Sequence, residues 1–383
     1  MMPKKNSLQH FFVFCCCLFC GLGIAMGGCG GSASAASSTT TTGSTTQSYV
    51  QQATQGVQTL QGWYSQSSGL YASPAGWWNS ANAITVLVNY ESVTGDDSYD
   101  SVLSNTFAAA QKSHPNFINS YFDDQGWWAL AWIDAYDLTK NASYLSMAET
   151  IFANIATNGW DNTVCGGGVW WSTAKTYKNA IPNELFLSIA AKLANRTTGS
   201  ASTAYLTWAQ KEWAWFKASG MINSQNLIND GLDSTNPNAC VNNGKTTWTY
   251  NQGVILGGLV ELSQADQDAT LLPQAEAIAG AAMKNLSTSG ILTEPRPVSG
   301  GDVPQFKGIF MRNLMALYDD LPITSPLRAQ YKAFADANAS SIWTNDQGPN
   351  HEFGGYWQGP FDAADATRQS SALDATVAAA AMQ

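Results

Sequence analysis

Tyr121-Phe122-Asp123-Asp124-Gln125-Gly126-Trp127-Trp128 runs without a break into the apolar helical stretch from Ala129 to Leu138. Only 12% of the 383 residues are charged, so two adjacent carboxylates in so aromatic a setting are costly unless solvated or used. Like charges this close disfavour joint ionisation, which separates the proton affinities of two otherwise equal carboxyls. A simpler reading is that Asp123 and Asp124 cap the helix that follows, their oxygens accepting its free N–H groups. On these two residues alone the cap is the stronger reading. The surroundings of the stretch have to decide.

Outward from it, helical apolar patterns recur over 49–64, 77–93, 97–113, 127–138, 142–157, 182–195, 202–218, 250–263, 269–285, 307–320, 326–343 and 364–381. Alternating Val/Ile-rich runs are nearly absent, so a sheet core is excluded. The segments fall into two classes. Ile84–Val88, Leu185–Ala191 and Val254–Val260 carry little charge and read as buried on most sides, whereas 202–218 and 326–343 carry Lys, Arg and Glu on one face. A weak repeat supports the alternation: Tyr90-Glu-Ser-Val-Thr-Gly-Asp-Asp-Ser-Tyr99 resembles Tyr136-Asp-Leu-Thr-Lys-Asn-Ala-Ser-Tyr144, each between a buried helix and a more polar one. Six inner and six outer helices predict an all-α fold, an (α/α)6 barrel. An α-solenoid is the competitor.

The loops favour the barrel. Those before inner helices (71–78, 116–128, 160–177, 223–250, 294–307, 345–362) nearly all hold an aromatic with a carboxylate or amide. Those at the other end (94–97, 139–141, 196–200, 264–268, 321–325) are short and plain. One decorated end and one plain end is how a scaffold carries a site. Asp123 and Asp124 stand at the decorated end.

The net charge of −10 argues against nucleic acid or an anionic membrane surface as partner and is compatible with a neutral polymer. Fifteen Trp, 14 Tyr and 15 Phe offer flat faces for sugar rings, although some must simply fill the core. Lys4 and Lys5, the apolar run Phe11–Met26 and then Gly27-Gly28-Cys29 read as a lipoprotein-type signal peptide over 1–28, with Cys29 as lipid-bearing residue. Plain cleavage and secretion is the alternative. Residues 29–48 read as a Ser/Thr/Gly tether and 49–383 as one catalytic domain. The expected location is therefore a bacterial cell surface, the periplasm or the medium, and the expected state a monomer. Four of seven cysteines lie in the signal peptide and Cys29 directly follows it, which leaves Cys165 and Cys240 to form one disulfide in an exported protein. Two cysteines and three histidines give no metal site, and no cofactor is expected.

Neighbouring residues have Cα atoms ~3.8 Å apart. On a loop entering a helix, their carboxyls can diverge to roughly 5 Å, the spacing of a retaining glycosidase. One would attack the anomeric carbon; the other would protonate the leaving oxygen and later activate water.

Tyr121–Thr139, Cys165-Gly-Gly-Gly-Val-Trp-Trp171 and Lys178-Asn-Ala-Ile-Pro-Asn-Glu-Leu-Phe186 together resemble glycoside hydrolase family 76, the α-1,6-mannanases. Asn229-Asp-Gly-Leu232, Thr249-Tyr-Asn-Gln-Gly-Val254 and Phe306-Lys-Gly-Ile-Phe-Met-Arg312 carry the resemblance from about Gln51 to the end of the chain. The resemblance implies retaining endo-cleavage of α-1,6-linked mannan, with Asp123 as nucleophile, Asp124 as acid/base and Asp230 on sugar hydroxyls. Tyr250, Asn251 and Gln252 are expected at the cleft, with N-capping the other role for Asn251. Lys307 is a further cleft candidate, and Arg312 either joins it or forms a buried ion pair. Of the pairs Trp127/Trp128 and Trp170/Trp171, one member should line the groove; Trp128 and Trp171 are the expected ones. Asp134 and Asp137 are expected in structural contacts. The rival readings are a mannan transglycosylase using the same pair and a non-catalytic surface glycan-binding protein.

Overall fold

The computed structural model describes residues 47–383. The expected signal peptide, Cys29 and nearly all of the tether lie outside the described residues. The described part of the tether belongs to the fold, because Ser48 caps the first helix and its backbone N–H is capped in turn by Gln51.

Twelve α-helices make up the described residues, with two short hairpins, Tyr64–Ser65 with Leu70–Tyr71 and Ser287–Thr288 with Ile291–Leu292. The inner set is α2 (Trp77–Thr94), α4 (Phe122–Thr139), α6 (Ala180–Arg196), α8 (Thr249–Asp266), α10 (Phe306–Asp320) and α12 (Ala366–Ala381). Each touches the next, and α12 closes on α2, so the six form a ring. The outer set is α1 (Tyr49–Leu60), α3 (Asp100–Ala109), α5 (Ala142–Asn158), α7 (Gly199–Ala218), α9 (Leu272–Asn285) and α11 (Pro326–Asn345). This is the (α/α)6 barrel. Nearly all of α8 from Thr249 to Ser263 is buried, as a helix covered on both sides must be, whereas α7 buries only Ala209, Glu212, Trp213 and Phe216.

The repeat marks corresponding turns. Helices α2 and α4 both end on left-handed residues, Gly95 and Lys140, whose N–H groups return to Glu91 and Tyr136. Gly253 has a different role. A Cβ there would lie 2.6 Å from Phe310 Cα, so only glycine lets α8 and α10 approach this closely.

Deeper along the inner helices, Asp134 and Asp137 do form structural contacts. Lys192 Nζ stands 2.5 Å from Asp134, while Arg196 meets Asp137 at 2.6 Å and Glu261 at 2.9 Å, lashing α4, α6 and α8 together. Cys165 and Cys240 form a disulfide, tying the Gly-rich loop to the loop before α8.

The largest departure from expectation is the start of α4. It begins at Phe122 rather than Trp127, so the aspartates occupy its first turn instead of a loop. Tyr121 is the N-cap and makes no side-chain cap bond. Phe122 N–H is taken by Trp171 O at 2.9 Å, so a neighbouring loop performs part of the capping.

Candidate active site

The N-terminal ends of four inner helices surround a cavity of about 620 Å³. Trp78 and Asn79 of α2, Asp123, Asp124 and Trp127 of α4, Tyr250 of α8 and Phe306 of α10 line it, with Tyr121, Trp171, Tyr177, Asp230 and Asp302 from the loops. Helix N-termini aimed at one space favour negative charge there.

Both carboxyls of the pair are held by named donors. Trp171 Nε1 donates to Asp123 Oδ2 at 2.9 Å, and Asn119 Nδ2 donates to Asp124 Oδ2 at 2.6 Å. Neither donor is loose. Tyr121 and Ser172 form an antiparallel bridge, which fixes Trp171 over the start of α4. Gln125 Nε2 holds Asn119 O at 2.8 Å, and Asn154 in turn donates to Gln125 Oε1 at 2.7 Å. Burial is the main cause raising both carboxyls above the usual range, Asp123 to about 8 and Asp124 to about 6. The charge of Asp124 pushes Asp123 further up, while the Trp171 indole and the amides of the helix start oppose it. Asn119 lowers Asp124, and Asp302 raises it. At neutral pH the two groups together hold one proton.

Asp230 reaches the same cavity from a loop whose backbone lies against Asn179 and Ala180. Ala180 N–H donates to Asp230 O at 2.9 Å, and a Cβ on Gly231 would stand 2.6 Å from Asn179 Cα. That explains the glycine of Asn229-Asp-Gly-Leu: the loop needs this approach to deliver the aspartate. Tyr177 Oη donates to the Asp230 carboxylate at 2.6 Å, and Asn243 holds Tyr177 at 2.9 Å. Tyr250 stacks on Phe306 with centroids 4.0 Å apart, and Trp78 stacks on Trp127 at 5.6 Å. Carboxylates and flat rings thus share one cleft.

Several expected positions move. Trp128 is fully buried among Trp77, Phe117 and Trp132, and Trp127 faces the cleft in its place. The reason is helical phase: with α4 starting at Phe122, Trp127 lies four residues after Asp123 and on its face. Trp171 does line the cleft, and Trp170 is buried with its indole on Asp161. Asn251 and Gln252 are both fully buried, away from the cavity and not at the cap, which is Trp248. Gln252 anchors the neighbouring loop instead, through Ile228 N at 2.8 Å and Ile228 O at 2.9 Å. Lys307 lies behind the cleft wall, 2.7 Å from Gly355 O and over the Trp357 ring. Arg312 takes the ion-pair alternative, 3.0 Å from Asp374, with its guanidinium 5.7 Å beneath the Trp127 ring.

The family model of Glycosyl hydrolase family 76 matches residues 32–383. The chain belongs to this family. It is similar to the mannan endo-1,6-alpha-mannosidase DCW1 of Candida albicans, at 28% identity over 291 residues, 68% of this chain and 62% of that protein. The chain therefore spans less than two thirds of that relative's length. Its fold is that of the alpha-1,6-mannanase GH76A from Salegentibacter sp. HEL1_6, with a TM-score of 0.79 at 24% identity over 88% of this chain and 100% of that one. An inactive variant of GH76A with two aspartates changed to alanine, solved with alpha-1,6-mannotetrose, superposes with a TM-score of 0.78 at 23% identity over the same shares.

The cavity also takes in residues that sequence reading passed over: Trp78, Asn79, Tyr121, Tyr177, Asp302 and Phe306. All stand at the decorated end, so the loop asymmetry was the available signal. Choosing among the aromatics required the packing.

Proposed function

We propose that this family 76 chain is a retaining, endo-acting hydrolase of α-1,6-linked mannan, with Asp123 as nucleophile and Asp124 as acid/base. The observation that carries the reading is the vicinal pair itself, two donor-held carboxyls lining an open, aromatic-lined cleft. The related GH76A variant supports it, since two aspartates were changed in that enzyme to give an inactive protein that holds alpha-1,6-mannotetrose. The order of roles follows the resemblance. Burial raises Asp123 above Asp124 in the empty cleft, so the shared proton rests chiefly on Asp123 and has to pass to Asp124 when the sugar binds; the Trp171 indole, which favours ionised Asp123, assists that transfer.

In this mechanism Asp123 forms a bond to the anomeric carbon while Asp124 gives its proton to the leaving oxygen. Asp124 then takes a proton from water, whose oxygen displaces Asp123 from the sugar. Two inversions leave the product with the configuration of the substrate. Asp230, oriented by Tyr177, accepts from ring hydroxyls of the sugar at the point of cleavage, and the exposed rings of Trp171 and Tyr121 offer faces to its C–H groups. The disulfide suits an oxidising compartment outside the cytoplasm.

Incubation with a bare α-1,6-mannan backbone tests the reading. Short manno-oligosaccharides should appear from the outset, and NMR of the first-formed reducing end should show the α-anomer; a β-anomer overturns the retaining mechanism. Products longer than the starting chain would mean transfer to sugar rather than to water.

The shared proton predicts a bell-shaped profile for kcat/KM. Below about 6 both carboxyls carry protons and the nucleophile is lost; above about 8 both are ionised and the acid is lost. Trp171→Phe removes a donor that favours ionised Asp123, so the proton binds more tightly and the alkaline limb moves upward. A steady-state pH series on both proteins checks this, and an unmoved limb would contradict the role given to the indole.

A further inference from the structure

The cleft is not the only cavity at the decorated end. Two others, of about 690 Å³ and about 380 Å³, meet at Pro295 and Arg296, which line both. The first is edged by Asn223, Gln225, Asn229 and Lys245, the second by Glu294, Lys307, Tyr356 and Gln358. Together they form one groove behind the cleft wall.

That wall is thin, because chain neighbours look opposite ways. Asn229 lines the groove and Asp230 the cleft; Lys307 lines the groove and Phe306 the cleft. Glu294, in the groove, accepts from Thr249 N–H and hydroxyl, directly before Tyr250 of the cleft. The groove's far side is pinned as well. Lys307 Nζ donates to Gly355 O at 2.7 Å, and Gly355 N–H donates to Asp362 at 2.7 Å, which fixes the backbone beside Tyr356.

Tyr356 is the most informative lining residue. Three aromatic side chains are well exposed among the described residues: Tyr121 at 42%, Trp171 at 37% and Tyr356 at 40%. The first two line the cleft, and the third stands in this groove. In the same cavity stand Gln358 and Arg296, while Lys245 and Gln225 line the adjoining one; neither Arg296 nor Lys245 has an ion-pair partner among the described residues. A flat ring among amide and guanidinium donors is the chemistry that binds a sugar chain.

We propose that this groove is a second glycan site, taking a neutral α-mannosyl branch of the same polymer whose backbone lies in the cleft. The inference rests on the proposed substrate. A 1,6-linked backbone leaves its ring hydroxyls at C2, C3 and C4 free, so branches depart sideways from the cleft, toward its wall. A site one residue thick away from Asp230 and Phe306 is placed to receive one.

The test reads binding, so that it stands apart from turnover. Branched α-mannan, the same mannan debranched enzymatically, and the branched mannan after removal of any phosphate are titrated against the full chain and the double variant Tyr356→Ala/Arg296→Ala. The expected result is a roughly tenfold loss of affinity for both branched forms in the variant and none for the bare backbone. Equal losses on branched and bare glycan, or no loss at all, overturn the proposal. An affinity that follows phosphate rather than branching overturns it too, by making the occupant an anion. Failure to cleave the bare backbone would instead strike the proposed hydrolase function, leaving the binding difference to decide on the groove.

Discussion

Asp123→Asn and Asp124→Asn should each lower kcat on α-1,6-mannan by roughly 10⁴-fold, with the folded state and oligosaccharide binding retained. Both side chains keep their shape as amides, and Trp171 and Asn119 remain within reach of an oxygen. The two variants differ on an activated substrate. A manno-oligosyl fluoride has a leaving group that needs no proton, so Asp124→Asn should still form the glycosyl-enzyme, and added azide should accept the sugar from it. Asp123→Asn lacks the attacking oxygen and should do neither. A burst of fluoride followed by a stalled intermediate in Asp124→Asn fixes the order of roles; the same burst in Asp123→Asn alone would reverse it.

The second large effect is one of stability. Lys178 is buried, and its ammonium donates to three carbonyls of one loop: Asp161 at 2.8 Å, Val164 at 2.6 Å and Gly167 at 2.5 Å. It also lies 4.7 Å from the centre of the Trp170 ring. A single cation thus gathers the Gly-rich loop that carries Trp171 over Asp123. Lys178→Met leaves three inward carbonyls without a donor, at a cost of about 3–5 kcal/mol. For a domain of this size the melting midpoint should fall by roughly 5–10 °C. Lys178→Arg should restore little, because a planar fork cannot aim three donors at one converging set. Calorimetry on the three proteins checks both statements. A midpoint within a degree of the parent would mean the loop is held by the Cys165–Cys240 disulfide alone.

What could be read from the sequence, and what could not, follows a physical line. The two helix classes were legible because burial on both faces removes charge from inner helices along their whole length. The pairing of Cys165 with Cys240 was legible because no other cysteines remained after Cys29. The start of α4 was hidden: Gly126 and adjacent acids resemble a loop, and Phe122 N–H is satisfied by Trp171 O, a contact 49 residues away in the chain. That one boundary sets the phase of the helix, and without it adjacency alone could not choose between Trp127 and Trp128. Asn251 and Gln252 were misplaced for another reason. In a ring, the inner helices also present faces to each other and to the loops above, and polar side chains such as Gln252 serve those contacts. Lys307 shows the same, since a cation in an acidic chain reads as a ligand for substrate until its carbonyl partner is seen, whereas the buried ion pair was already one of the two roles open to Arg312.

The ring also bears on the order of events during folding. Helix α12 is the last in sequence, yet it lies between α10 and α2, and Gln369 reaches across 313 positions to Gly56 O at 2.9 Å. Five inner helices can assemble step by step through neighbours, but the sixth must join both ends of the chain at once. Closure of so long a loop is slow, because its entropy is lost before the contacts that reward it are made. The contacts of α12 with α2 and α10 should therefore be the last to form, so that alanine-to-glycine changes along α12 would speed unfolding and leave the folding rate nearly unchanged.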